Sequence, residues 1–382
     1  MKRLLLFLTA TTLLAATVVP AEAAPADAPE RSTLQRDADA IRSTGVTGVL
    51  VRETSGRQSR TVVSGVGELN GRLPRADGHF RIGSTNKLLV GTVVLQLVAE
   101  HRMRLEDSVE RWLPGLVQGN GYDGRRISIR QLLQHTAGIY DGNFPSIENA
   151  RQYYERRFTI HTEDEIVRAG LSHPPEFEPG KGWSYSNTGY DLVGLVIKAV
   201  TGRPWYGEVD RRIVRPLGLR DTYFPGTDPR IARPYAHGYT RFTPTEYTDT
   251  TDLIDADASG GYISTLKDLD TIVRAVFDGR LLRPAQLRRL KRTVQTDGSP
   301  DPFWRNARYG LGVFSRDLSC GGTVWIPSGD QIGYRTRTGV TADGRHSVVV
   351  SMSSQLNDSL AAGIAQENAT TRLIDNALCR SA

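Results

Sequence analysis

Apolar residues crowd Leu88-Leu89-Val90-Gly91-Thr92-Val93-Val94-Leu95-Gln96-Leu97-Val98 at helical spacing, which predicts a buried helix beginning near Ser84. A second apolar helix is expected from Tyr190 to Val200, stopped by Thr201-Gly202, because glycine accepts the left-handed turn that ends helices. Further helical periodicity covers residues 34–41, 105–113, 127–134, 147–157, 162–170, 203–224 (broken at Pro216-Leu217-Gly218-Leu219), 266–277 and 356–378. Strand-like runs at 46–52 and 59–67 flank a Ser-Gly turn and predict a hairpin; others fall at 309–314, 323–326, 333–338 and 346–352. Residues 225–254 read as turns and polar loop, and 258–265, rich in small residues, as a flexible segment. Strands at both ends with helices between imply an α/β fold: an antiparallel sheet flanked by helices, built from both chain ends, with an inserted all-helical domain. The divisions expected are 24–104 and 256–382 for the two parts of the α/β domain and 105–255 for the helical one, with a cleft between them.

Composition adds a compartment. Lys2 and Arg3, an apolar run and small residues at Ala21 and Ala23 predict a signal peptide over residues 1–23, hence a secreted, extracellular protein. Residues 24–36 are rich in Ala, Pro and Asp and read as loose, and no later stretch is apolar for long enough to span a membrane. The charge, +6 from 48 basic and 42 acidic residues, contains no long basic block, so nucleic-acid binding has no support, while attraction to an anionic envelope polymer is compatible with it. In an exported protein the two cysteines, Cys320 and Cys379, are expected to form a disulfide tying the terminal helix to the strand region, two buried thiols being the alternative.

The candidate chemistry starts at the first apolar helix. Ser84 and Lys87 stand three residues apart on one face of its first turn, and a serine hydroxyl becomes a nucleophile when a neighbouring base takes its proton. The bland alternative is a capping serine before a solvated lysine. Tyr185 and Asn187 sit in a loop just ahead of the second apolar helix, a place suited to polar groups that point into a cleft; the alternative there is a packing aromatic and a helix cap. Among seven histidines there is no His-Glu-x-x-His or other clustered ligand set, so neither a metal nor another cofactor is expected.

Ser84-Thr85-Asn86-Lys87, Tyr185-Ser186-Asn187 and a glycine-containing strand region near the C-terminus follow one another in the order seen in the penicillin-recognising serine hydrolases. The chain resembles the class C beta-lactamase and secreted D-alanyl-D-alanine carboxypeptidase group. Leu132-Leu133-Gln134-His135-Thr136-Ala137-Gly138 and Ser259-Gly260-Gly261-Tyr262 are similar too, and Arg316-Asp317-Leu318-Ser319-Cys320-Gly321 with Cys379 is most like the Streptomyces type. The resemblance implies that Ser84 forms an acyl-enzyme, Lys87 helps remove its proton, Tyr185 shuttles protons, and Asn187 orients Lys87 and binds the substrate amide. It makes His135 a supporting residue. It also implies an oxyanion hole from the backbone N–H groups of Ser84 and Asp330, and substrate contacts from Ser328, Gly329, Asp330 and Arg316.

The chain departs from that pattern at one strand. The family carries Lys or His, then Thr or Ser, then Gly, whereas here Pro327-Ser328-Gly329-Asp330 offers a proline and an added carboxylate. A proline brings no cation to attract a carboxylate. Phe314 and Ser315 stand where carboxypeptidase relatives carry basic residues, leaving Arg316, while Arg335 and Arg337 share one face of a strand whose direction is open at this stage. Three readings follow: a serine D,D-carboxypeptidase or related D-stereospecific peptidase; an amidase, aminopeptidase or esterase of the same fold; and a noncatalytic envelope-binding protein. A monomer acting on a peptide or peptidoglycan-like substrate, and open to beta-lactam acylation, is the expected form.

Overall fold

The hairpin that opens the fold is made of β1 (Gly48–Ser55) and β2 (Gln58–Gly65), paired antiparallel from Gly48↔Gly65 to Ser55↔Gln58. The late strands add β3 (Val294–Gln295), β4 (Arg308–Tyr309), β5 (Phe314–Asp317), β6 (Thr323–Ile326), β7 (Ser328–Gln331), β8 (Tyr334–Thr341) and β9 (His346–Met352). They form one sheet in the order β2-β1-β9-β8-β6-β5-β4-β3, with β7 also on β8. Every pairing is antiparallel, and β1 lies against β9 from Val49↔Met352 to Ser55↔His346, so early and late parts of the chain meet in one open sheet, as expected. This computed structural model describes residues 32–142, 147–296, 304 and 306–380; the expected signal peptide lies outside the described residues, as does the Ala/Pro/Asp-rich stretch up to residue 31.

Alternation along the strands sorts the core into two layers. Val49, Val51, Val348, Val350 and Met352 face α1 (Thr33–Arg42) and α5 (Leu360–Cys379) through Leu34, Ile41, Leu373 and Ile374. Leu50 and Val349 point the other way, toward α4 (Leu266–Phe277) and the larger core that continues into the helical region. Fully burying such a side chain stabilises by about 1.5–3 kcal/mol. At the centre of that larger core lies α2 (Asn86–Ala99), apolar all round and buried from Asn86 to Leu95. The second apolar helix, α3 (Asn187–Thr201), is capped by Ser186, whose Oγ accepts from Gly189 N–H at 3.0 Å, and it ends on Gly202 at φ 73°. Asn187 is thus the first residue of the helix, while Tyr185 stays in the loop before it.

Several expectations need correction. The helical reading of 203–224 holds only for Trp205–Val209 and the wider turn Asp210–Val214, and the one from 105 shrinks to Val109–Trp112. The run 309–314 is two strands, β4 and β5, separated by a loop. Within the expected polar loop, Tyr239–Thr243 and Glu246–Asp249 form a hairpin that pairs in parallel with Ser354–Leu356, which therefore is a strand and not the start of the terminal helix. The segment from Ala258 to Tyr262, expected to be flexible, is buried. Cys320 and Cys379 are joined as a disulfide between the loop after β5 and the last turn of α5. Among the described residues no helix is long and apolar enough to cross a membrane.

Candidate active site

Phe80 and Arg81 pair with Ser264 and Ile263, and the chain then turns sharply through Gly83–Thr85 into α2. Gly83 adopts φ 50°, and a Cβ there would lie 2.6 Å from the Asp330 carbonyl oxygen. Gly329 is tighter, with an added Cβ 1.9 Å from Ile82 O and 2.7 Å from Ser84 N. Two glycines therefore let the backbone of β7 lie directly on the turn that carries Ser84.

Lys87, 1% exposed, sits inside that turn. Its Nζ donates to Ser84 Oγ at 3.0 Å, Asn187 Oδ1 at 2.6 Å and Ser259 O at 3.1 Å, three acceptors for the three donors of an ammonium. The rings of Tyr185 and Tyr190 face the same nitrogen at 4.7 and 5.3 Å. Asn187 is held in turn by Asp141, which accepts from its backbone N–H at 3.0 Å and from Nδ2 at 3.2 Å. The Ser259 carbonyl is placed by Asp257, whose Oδ1 accepts from the N–H groups of Ser259 at 2.7 Å and Gly260 at 3.0 Å, and Asn86 Nδ2 donates to Ala258 O at 2.8 Å. The small-residue segment is thus a pinned wall of the site. Asp141, Asp257 and the Ser259 carbonyl carry no motif that sequence reasoning could have used, although Ser259-Gly260 does belong to a family-like segment.

Tyr185 lies between two aromatic supports. Its ring runs parallel to Phe314 at 6.5 Å and lies 4.3 Å from the ring of His135. His135 is buried at φ 61° and accepts at Nδ1 from Ser186 N–H at 3.1 Å; burial, and secondarily Lys87, holds its pKa well below the ordinary value. It packs on the Tyr185 ring and fixes the Ser186 backbone, which is compatible with the supporting place that the resemblance implies.

Across the cleft, the β7–β8 register sets Ser328 opposite Arg337 and Asp330 opposite Arg335. Both arginines face the same cavity of about 310 Å³ as Ser84, Tyr185 and Asp330, which answers the question left open by the sequence. Asp330 is bound by both: Arg337 NH1 lies 2.5 Å from Oδ1 and Arg335 Nε 3.4 Å from Oδ2. Partial desolvation at the cleft wall would raise the Asp330 pKa, but the two guanidinium charges outweigh it and hold the carboxyl below its ordinary range. Pro327 contributes its carbonyl, which accepts from Thr338 N–H at 3.2 Å and Thr338 Oγ1 at 2.6 Å. Arg316 does not reach the cleft. It is ion-paired at 2.8 Å with Asp375 of α5 and donates to Asp317 O, so its expected place among the substrate contacts is corrected.

A second cavity of about 460 Å³ also opens on Ser84 and is lined by Asn187, Asp255, Asp257, Asp330 and Gln331. Asp255 accepts from Gln331 Nε2, and burial first, Asp257 second, pushes its pKa up to about 7. An acid whose folded pKa is raised keeps its proton while the unfolded chain releases it, so stability falls as pH rises from about 4 to about 7. Asp255→Asn removes that slope: its melting-temperature advantage over the unaltered protein should grow across this window and then level off. A constant difference between the two proteins across the window would refute the assignment.

A family model described as Beta-lactamase matches residues 32–370. Esterase EstB of Burkholderia gladioli is 36% identical over 178 residues, 44% of each chain, and penicillin-binding protein 4* of Bacillus subtilis is 26% identical over 287 residues, 71% of this chain and 60% of that one. The chain therefore spans roughly half the length of these curated relatives. Among solved structures, a D-stereospecific amidohydrolase from Streptomyces sp. is 36% identical with a TM-score of 0.79, covering 87% of this chain and 97% of that one. The D-amino acid amidase of Ochrobactrum anthropi is 25% identical with a TM-score of 0.79, covering 91% and 98%.

Proposed function

Because the chain belongs to the beta-lactamase family of serine hydrolases, we propose that it is an exported D-stereospecific amidohydrolase that cleaves amides or esters of D-amino acids and short D-peptides through an acyl-enzyme on Ser84. In this reading the resting pair is a Lys87 ammonium beside a Tyr185 phenolate, and Ser84 Oγ attacks the carbonyl carbon as the phenolate takes its proton. The resulting oxyanion is met by the backbone N–H groups of Ser84 and Asp330. The carbon–nitrogen bond then breaks and the leaving amine takes a proton delivered by the Tyr185 phenol. Water attacks the ester, returns a proton to the pair, and releases the carboxylic acid and the Ser84 hydroxyl.

The observation that carries the choice of an amidohydrolase over a carboxypeptidase is the charge state of β7 and β8. Arg335 and Arg337 are matched by Asp330 and Glu367, and Pro327 brings no further cation, so this wall presents a satisfied ion-pair set to an incoming carboxylate. Similarity to proteins named as amidases supports the same choice. The test compares D- and L-phenylalanine amide, and N-acetyl-D-alanyl-D-alanine with its C-terminal amide, while intact mass spectrometry follows adducts of an activated D-amino acyl ester and of a penicillin. We expect an acyl adduct on Ser84, D over L, and amide over acid. Faster cleavage of the acid would restore the carboxypeptidase reading, and no adduct from any acyl donor on the folded protein would leave the noncatalytic one.

A further inference from the structure

The ion-pair set on β7 and β8 has an asymmetry. Arg335 and Arg337 are 8% and 6% exposed and are fixed from behind by α5: Arg335 NH1 donates to Gln366 Oε1 at 2.9 Å, and Arg337 Nε donates to both oxygens of Glu367 at 3.0 Å. Glu367 is itself held by Trp304 Nε1 at 2.9 Å. These anchors do not involve Asp330. The Asp330 carboxylate, with a side chain 40% exposed, is the solvent-facing member of the set and meets the arginines from the cleft side. Its contacts are those a bound carboxylate would make: Arg337 NH1 at 2.5 Å to one oxygen, and Arg337 NH2 at 3.3 Å and Arg335 Nε at 3.4 Å to the other. Apart from that contact, buried Arg335 Nε has no hydrogen-bond partner among the described residues. Without the Asp330 carboxylate, two fixed guanidinium groups would face the cleft with Glu367 as their one counter-charge, a net charge of +1 where the set is now neutral.

We propose that Arg335 and Arg337 form a carboxylate-binding subsite of the cleft which the chain's own Asp330 occupies, making Asp330 the residue that selects against substrates with a free terminal carboxylate and for amides and esters. The consequence for catalysis rests on the amidohydrolase reading; the binding rests on the geometry alone. A partly desolvated guanidinium pair facing a carboxylate gives charge-assisted hydrogen bonds, whereas the same carboxylate brought up to Asp330 meets a like charge.

The test uses Asp330→Asn, with Asp330→Thr as a second variant in case the first perturbs folding, each checked by thermal melting and each leaving the backbone N–H in place. In a Ser84→Ala background, calorimetry compares N-acetyl-D-alanyl-D-alanine with its C-terminal amide. Either folded variant should tighten the acid at least about tenfold relative to the amide, more so at low salt, and adding Arg337→Gln should cancel the gain. With Ser84 present, the acid-to-amide ratio of kcat/KM should shift in the same sense, carried mainly by KM. An unchanged acid-to-amide binding ratio in a folded variant, or a gain that survives Arg337→Gln, overturns the proposal. Failure of the amidohydrolase reading shows separately, as absence of an ester adduct on Ser84 in the unaltered protein.

Discussion

Ser84→Ala should abolish the covalent adduct with an activated ester and lower hydrolysis by a factor on the order of 10⁴–10⁶, the scale seen when a serine nucleophile is removed from a working triad. The fold should survive the change. Ser84 is half-buried and its Oγ accepts one bond, from Lys87, which keeps Asn187 Oδ1 and Ser259 O as acceptors. A melting curve superimposable on that of the unaltered protein, combined with complete loss of labelling, is the expected pair of results. A surviving adduct at full stoichiometry would place the nucleophile elsewhere and remove the basis for every role assigned to Lys87 and Tyr185.

Gly329→Ala should cost both stability and activity. The new methyl would sit 1.9 Å from Ile82 O and 2.7 Å from the nitrogens of Ser84 and Thr85, all backbone atoms that no rotamer change can move aside. Either β7 lifts off the turn that carries Ser84 or the turn itself shifts, and overpacking of this kind destabilises by about 3 kcal/mol. Because β7 also carries the Asp330 N–H, a displacement of about 1 Å should slow acylation by about 10²-fold even in the molecules that remain folded. Gly363→Ala is the control: it lies in α5 with nothing within 4 Å of its added Cβ, and should be neutral or slightly stabilising. Equal melting temperatures and equal acylation rates for the two variants would mean that the close approach of β7 to the turn is unimportant.

What was legible in the sequence and what was not divides along the range of the interactions. The helix at 266–277 is read correctly because its apolar face repeats without interruption and Thr265 caps it, accepting from Asp268 N–H. The buried helix after Ser84 is legible for a similar reason, whereas the role proposed for Ser84 came from the ordered family segments and not from the local spacing. The small parallel pairing of Ser354–Leu356 with Tyr239–Thr243 joins short polar segments far apart in the chain, and alternation has nothing to grip there. Arg316 was placed among the substrate contacts by resemblance, as the cation left after Phe314 and Ser315, and resemblance does not give its distance from the cleft. Phe314, two residues earlier on the same face, lines the cavity, whereas Arg316 lies one step farther along, where Asp375 of α5 captures it. The Ala258–Tyr262 wall misled for a different reason: small residues were read as freedom, when a Cβ on Gly261 would meet Asp257 O and the Phe224 ring at 3.0 Å, and the N–H groups of Ser259 and Gly260 are held by Asp257.

The pairing of β1 with β9 also sets the order in which the enzyme can come into being. On a ribosome, Ser84 and Lys87 are made well before β7, β8 and β9, which supply the facing wall and the neighbour of β1. Contacts this distant along the chain are formed late and slowly, so a nascent chain cannot complete the sheet until β9 has been made. A transcript interrupted anywhere before residue 346 would therefore encode no partially working fragment, because β1 would have no β9 to pair with.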